Sequence, residues 1–292
     1  MSTDLDAFEQ HRRYLFGIAY RMLGSTADAE DVVQDTFVRW KEADRTEIRS
    51  ERAFLATILT RLCLDRMKDA HTKRVDYVGP WLPEPLVTQG YEETDAIDAA
   101  ESISMAFLVL LESLSPLERA VHLLHDVFDY RHDEVAQIIG RDPATCRKLL
   151  ERARKDLLAR RPRFAPSKEA HRAMLGQFAA AVMTGDAAGL EQLLADDVRA
   201  LSDGGGKANA ARRPVEGRAA VARLYGGLAR VAPDDTSVEF LEVNGWPAVV
   251  VRVGSKPVSV IQLETDGEMI HAVRATLNPD KLARLDAPIA EG

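Results

Sequence analysis

Residues 132–155 read His132-Asp133-Glu134-Val135-Ala136-Gln137-Ile138-Ile139-Gly140-Arg141-Asp142-Pro143-Ala144-Thr145-Cys146-Arg147-Lys148-Leu149-Leu150-Glu151-Arg152-Ala153-Arg154-Lys155. This is the spacing of a helix-turn-helix. Two crossing helices need a small residue at the crossing, and Ala136 supplies it. The short turn between them calls for a glycine, which is Gly140. Pro143 suits the first turn of the second helix, where its missing N–H costs nothing. In that helix Cys146, Leu149, Leu150, Ala153 and Leu157 share one face. Thr145, Arg147, Lys148, Glu151, Arg152, Arg154 and Lys155 are left for the rest of the surface. A basic helix after such a turn can enter the major groove, where Arg and Lys reach guanine acceptors and Glu accepts from cytosine. A plain helix pair with a solvated basic face is the alternative. The coincidence of small residue, glycine, spacing and charge favours DNA.

Charge extends this reading outward. The chain has 292 residues and a net charge of −8, which looks wrong for a nucleic-acid binder, but the charge is unevenly placed. In 45–74, Arg45, Arg49, Arg52, Arg61, Arg66, Lys68, Lys73 and Arg74 outnumber Glu47, Glu51, Asp65 and Asp69. In 141–163 basic residues again dominate, whereas Val75 to Glu118 contains no Lys or Arg. Two basic modules thus flank an acidic connector that carries Glu92, Glu93, Asp95 and Asp98. With 46% hydrophobic and 29% charged residues the chain can bury cores, and its length suits two or three domains. No apolar run is long enough to span a membrane, and the acidic N-terminus lacks a signal pattern, so a cytoplasmic protein is expected. Cys63 and Cys146 lie in helical apolar patterns and read as buried free thiols.

The pattern along the chain divides it into four parts. Residues 1–75 read as a helical bundle, with apolar spacing in Leu15, Ile18, Ala19, Met22, then Val32, Val33, Phe37, Trp40, then Phe54, Leu55, Ile58, Leu59, Leu62. Residues 76–97 form an extended acidic linker, because Pro80, Pro83 and Pro85 forbid helix. Residues 98–163 are helical again, and Ser115-Pro116-Leu117-Glu118 is a helix start with a capping box. Residues 167–285 open with helices at Ser167–Met183 and Ala187–Leu194. Strands follow at Val238–Val243, Ala248–Val253, Val258–Leu263 and Met269–Leu277, the first two joined by Asn244-Gly245. This predicts an antiparallel meander behind helices, an α+β domain.

Two stretches together resemble the extracytoplasmic-function (ECF) branch of the sigma-70 family. Asp28-Ala29-Glu30-Asp31-Val32-Val33-Gln34-Asp35-Thr36-Phe37-Val38-Arg39-Trp40 resembles region 2.2, and residues 54–68 resemble regions 2.3 and 2.4. Many ECF proteins have Asn where Arg61 stands. The helix-turn-helix then corresponds to region 4. Three further stretches, Trp81-Leu82-Pro83-Glu84-Pro85, Asp203-Gly204-Gly205-Gly206-Lys207 and Asn278-Pro279-Asp280-Lys281-Leu282, resemble the motifs of an ECF subgroup that includes SigJ-like proteins. The fold this implies is multidomain: two all-α sigma domains followed by a SnoaL-like α+β cone.

The resemblance implies a sigma factor that works by binding. Asp31, Gln34 and Asp35 would dock on the β′ clamp of the RNA polymerase core, and region 4 on the β flap. Arg61, Arg66, Lys68, Lys73 and Arg74 would hold the promoter −10 element, and the basic helix would read the −35 element. The acidic connector would occupy the RNA path of polymerase; a solvated tether is the alternative. Trp81, an apolar group in a polar linker, needs a burial site. The expectation is that the 203–207 loop and the 278–282 tail pack on Trp81, Leu82 and Pro83 and regulate the sigma domains. Asp203, Glu239 and His271 do not compose a catalytic pair, and no cofactor or metal is called for. An unidentified small ligand in the cone, and a DNA-binding regulator fused to a small-molecule-sensing cone, remain open, as does an enzyme with a targeting module. The free protein is expected to be a monomer.

Overall fold

The structure, a computed structural model, describes residues 4–44, 48, 50–88, 103–160 and 166–285. Helices α1 (Asp4–Leu23), α2 (Thr26–Glu42) and α3 (Glu51–Val75) form the first unit. Ser25 caps α2 by accepting from the Asp28 amide. The second unit holds α4 (Met105–Leu111), α5 (Pro116–His122), a π-helical turn (Leu123–Val127), α6 (His132–Ile139) and α7 (Pro143–Arg160). The Ser115–Glu118 capping box forms as expected. Gly140 ends α6 at φ 65°, a left-handed conformation that favours glycine.

These two units share one hydrophobic core. Leu15, Ile18, Met22, Leu55, Leu59 and Cys63 of the first are continuous with Leu111, Leu124, Val135, Ile138 and Leu150 of the second. The linker is therefore no loose tether between independent modules. Its described part, 76–88, is extended, and Leu82, Pro83, Glu84 and Pro85 are buried. The acidic residues Glu92, Glu93, Asp95 and Asp98 lie outside the described residues.

The third unit contains α8 (Lys168–Thr184), α9 (Ala187–Leu193), β1 (Leu194–Asp203), β2 (Val215–Glu216), α10 (Arg218–Gly226), β3 (Thr236–Val243), β4 (Trp246–Val253), β5 (Lys256–Thr265), β6 (Ile270–Thr276) and α11 (Pro279–Leu282). The six strands lie in the order β2-β1-β6-β5-β4-β3. The predicted β3–β6 meander is present, but β1 joins it parallel to β6, with Ala200 opposite Val273, so the sheet is mixed. One sheet face packs Val249, Ile261 and Val273 on Leu175, Phe178 and Tyr225 of the helices. The other buries Val243, Ala248, Val250 and Val260 under Leu282 and Leu285 of the tail, with Val87 of the linker beside them. Alternate residues of β4 thus serve two cores, as strand geometry requires.

The Asn244-Gly245 turn joins this domain to the rest. Both residues have positive φ, 55° and 73°, as a tight hairpin turn requires. The fully buried Asn244 side chain donates to Tyr20 Oη of α1 at 2.6 Å and accepts from the Leu86 amide at 3.3 Å. Its own backbone amide donates to Leu86 O at 2.7 Å. Asn244→Gly keeps the turn but strips both side-chain partners. It should lower stability by about 1–3 kcal/mol in thermal unfolding of the full chain; an unchanged melting temperature would show that the turn alone matters.

Candidate functional site

All three sequence motifs of the linker, loop and tail converge on one carboxylate. Asp203 closes β1 and is fully buried. Its Oδ1 accepts from Tyr77 Oη at 2.5 Å, and its Oδ2 from the Leu82 amide at 2.8 Å and Lys281 Nζ at 2.6 Å. Its backbone carbonyl accepts from the amides of Leu277 and Asn278 at 2.7 and 2.8 Å. Lys281 also donates to Leu82 O, and its ammonium lies 4.2 Å from the Trp81 ring centroid. Such a cation over an indole face is favourable, more so where water is excluded. Asn278 donates to Tyr77 Oη at 2.9 Å, and Lys207 pairs with Asp280. Burial, then the hydrogen bond to Asp203, raises the Tyr77 phenol pKa, so it stays a neutral donor.

Glycines make the close approach feasible. Gly205 and Gly206 have φ of 57° and 72°. A Cβ on Gly205 would collide with the Asn278 amide, and one on Gly206 would lie 3.2 Å from Val78. Gly24, at the α1–α2 corner, likewise admits Trp81: a Cβ there would stand 2.7 Å from the indole. Pro83 and Pro85 are both buried beside it.

Beyond Trp81 the linker is pinned to the first unit by Glu84. Its buried carboxylate accepts from the Thr26 amide at 2.8 Å, from Ser25 Oγ at 3.1 Å and from Thr26 Oγ1. This places a negative charge at the α2 N-terminus, where the helix dipole favours it. Tyr20 Oη donates to Glu84 O at 2.7 Å, and Arg284 pairs with Glu30 of α2. Sequence reading missed Tyr20, Tyr77, Glu84 and Asn244 as linkers. Glu84 and Asn244 stood inside quoted motifs, but nothing local reveals partners 58 to 224 residues away. Between the linker, the α1–α2 corner and α5 lies a cleft of about 380 Å³, lined among others by Met22, Arg66, Met67, Trp81, Leu114 and Lys281.

The predicted DNA-facing residues are distributed unevenly. Arg61 donates to Ile138 O at 3.1 Å and Gln137 O at 3.2 Å, capping the α6 C-terminus across the two helical units. Arg66 is held by Asp28 at 2.9 Å and Asp31 at 2.8 Å. Lys68 is exposed and pairs with Asp65. The side chains of Lys73 and Arg74 lie outside the described residues. Asp31, Gln34 and Asp35 share an exposed face of α2 with Val38. On α7, Arg147, Lys148, Glu151, Arg152 and Lys155 are exposed, and Cys146, Leu150, Ala153 and Leu157 are buried as the pattern required. Thr145 donates to the capping Asp142 at 2.6 Å. Arg154 makes a two-point pair with Asp126, at 3.0 and 2.5 Å. Further cross-unit contacts are Tyr14 Oη to Tyr130 Oη at 2.8 Å and buried Arg119 to Met22 O at 2.8 Å.

In the sheet domain His271 Nε2 lies 2.8 Å from Asp266 Oδ2, a local pair five residues apart. Partial burial raises the Asp266 pKa, but the hydrogen bonds from His271 and the Met269 and Glu268 amides outweigh it and hold it at about 2. Glu239 is engaged by Arg252 at 3.1 Å. Among the described residues no group of three His, Cys, Asp or Glu could hold a metal. No described helix is long and apolar enough to cross a membrane. Cys63 and Cys146 are free and buried.

Comparison with known proteins gives the same answer. Residues 7–72 match the family model of sigma-70 region 2, and residues 104–157 that of sigma-70 region 4. The chain is 40% identical over 229 residues to the ECF RNA polymerase sigma factor SigJ of Mycobacterium tuberculosis, covering 77% of this chain and 73% of that protein. It is 29% identical over 296 residues to the probable ECF RNA polymerase sigma factor SigI of the same species, covering 98% and 97%. The crystal structure of M. tuberculosis SigJ superposes with a TM-score of 0.74 at 33% identity, covering 96% of this chain and 98% of that one. With both helical units matched in order, and a relative of this identity spanned over most of its length, the chain belongs to the ECF branch of the sigma-70 family of RNA polymerase sigma factors.

Proposed function

We propose that this sigma factor is held closed by its own C-terminal domain, and that the polymerase core opens it onto the promoter. The observation that carries the reading is the double engagement of the promoter-facing units. Arg61, expected at the −10 element, is turned onto the helix-turn-helix, while the Asp203 clamp fixes the linker that must extend for the two units to separate.

In the open state, Asp31, Gln34 and Asp35 contact the polymerase β′ clamp, and region 4 docks on the β flap. Arg61, Arg66, Lys68, Lys73 and Arg74 serve the −10 strand. Thr145, Arg147, Lys148, Glu151, Arg152 and Lys155 face the −35 duplex. The exposed acidic face of α2 supports the first assignment, because it stays accessible while the sigma units are closed on each other. Polymerase can therefore engage before the clamp yields. The acidic stretch carrying Glu92, Glu93, Asp95 and Asp98 enters the RNA path once freed. The junction cleft offers a place where a small molecule could bias the equilibrium, since its walls come from all three units.

Run-off transcription with purified core polymerase tests the reading as a whole. The chain should confer initiation on its own promoter, and no transcript would overturn it. Asp203→Ala deprives the half-buried Lys281 and Tyr77 of the fully buried carboxylate they share. Breaking a buried pair in this way costs about 3–5 kcal/mol. The variant should expand in small-angle X-ray scattering and bind −35 duplex more tightly as free protein; an unchanged radius of gyration would count against the clamp. Arg147→Ala in holoenzyme should lose about 1–3 kcal/mol of preference for the cognate −35 sequence. Equal losses on cognate and scrambled sequences would make Arg147 a phosphate contact instead.

A further inference from the structure

The π-helical turn at Leu123–Val127 has a specific consequence for the reading helix. A π turn inserts a residue into a helix and rotates the residues after it, and such turns recur at functional sites. Here the Phe128 amide reaches back to Leu123 O at 3.0 Å and the Tyr130 amide to Leu124 O at 2.9 Å. Asp126 lies within this turn and turns its side chain, 19% exposed, to Arg154 of α7. Asp126 Oδ2 receives Arg154 Nε at 3.0 Å and Oδ1 receives Nη2 at 2.5 Å, a planar fork-to-fork pair. On its other side His122 Nδ1, itself largely buried, lies 2.8 Å from Oδ2. Burial raises the Asp126 pKa, but the two-point hydrogen bonding from Arg154 outweighs it and brings it below the usual carboxylate range, while burial lowers the His122 pKa and leaves that imidazole a neutral neighbour near pH 7. The carboxylate therefore stays ionised and keeps its grip across the neutral pH range.

We infer that Asp126 is a positioning residue for promoter recognition: it holds Arg154 against the body of region 4 and so removes that guanidinium from the DNA-reading set. The other exposed basic residues of α7 face outward, whereas Arg154 reaches back to the π turn. A two-point salt bridge fixes the guanidinium plane in a way a single lysine contact would not. This gives the pair two effects. It locks the rotation of α7 about its axis relative to α5, which aims Arg147, Lys148 and Glu151. It also takes away one mobile cation that would otherwise settle on any phosphate, whatever the sequence. Arg154, grouped with the −35 contacts on sequence grounds, becomes a brace that sharpens discrimination.

The inference rests on the −35 reading proposed above, and the two fail separately. Holoenzyme would be assembled from core polymerase and full-length chain, and its affinity for promoter DNA and for a −35-scrambled promoter measured against salt. Asp126→Asn keeps the shape and a weak acceptor but releases Arg154. Its salt slope should steepen by about 0.9, the value of one added phosphate contact. Its preference for the cognate −35 element should fall as non-cognate binding rises. Asp126→Asn combined with Arg154→Met should bring the slope back to that of the unsubstituted chain. A merely structural loss at region 4 would weaken binding without steepening the slope. An unchanged or shallower slope for Asp126→Asn, or a double variant shallower than the unsubstituted chain, would overturn the assignment. If the unsubstituted holoenzyme itself ignores the −35 sequence, the recognition reading fails first.

Discussion

A single buried carboxylate organises the closed molecule. Asp203 has no access to water, and its partners come from two distant parts of the chain: Tyr77 and Leu82 from the linker, and Leu277, Asn278 and Lys281 from the segment after the last strand. An ion pair of this kind contributes little net stability compared with an apolar substitute, because both charges are desolvated. It is costly to break halfway. The pair therefore acts less as glue than as a condition, satisfied when linker, loop and tail are all in place. Trp81 and the prolines around it supply apolar burial and restricted backbone, so the linker loses little further entropy when it docks.

From this condition the arrangement of the two sigma domains follows. The linker leaves α3, crosses Asp203, seats Trp81 on Gly24, caps α2 through Glu84 and then pairs with the edge of β3 through Val87 and Val243. With that path fixed, regions 2 and 4 meet and share apolar side chains. Arg61, Arg119 and Tyr14 add polar contacts across the same boundary. Regulation in such a design needs no separate inhibitor, because a domain in the same chain is present at high effective concentration. In the proposed opening, polymerase would compete for the surfaces that now hold the two units together.

Much of this was legible in the sequence, for definite reasons. The helix-turn-helix declares itself through Ala136, Gly140 and Pro143 because each answers a local steric demand. The β3–β4 hairpin is announced by Asn244-Gly245 for the same reason. Strand β1 was not seen: Leu194-Ala195-Asp196-Asp197-Val198-Arg199-Ala200 is rich in helix formers and poor in β-branched residues, and it becomes a strand only because β6 pairs with it. That parallel pairing also turned the expected meander into a mixed sheet. The three motifs meet in the structure, but the chemistry joining them, a carboxylate with two linker donors and one lysine, depends on contacts 78 to 126 residues apart. The family resemblance and the helix-turn-helix pattern assigned Arg61, Arg66 and Arg154 to DNA, and neither shows what these side chains hold when the units meet. In the closed chain they hold helix carbonyls or carboxylates.

The central claim is that the sigma units lie together in the free chain and part on the polymerase core. Spin labels on Asp35→Cys of α2 and Lys155→Cys of α7, both exposed positions, would report the separation directly, since Cys63 and Cys146 are buried. Pulsed dipolar spectroscopy should give one narrow distance for the free protein and a markedly longer one when core polymerase is added. The same distance in both states would contradict the account.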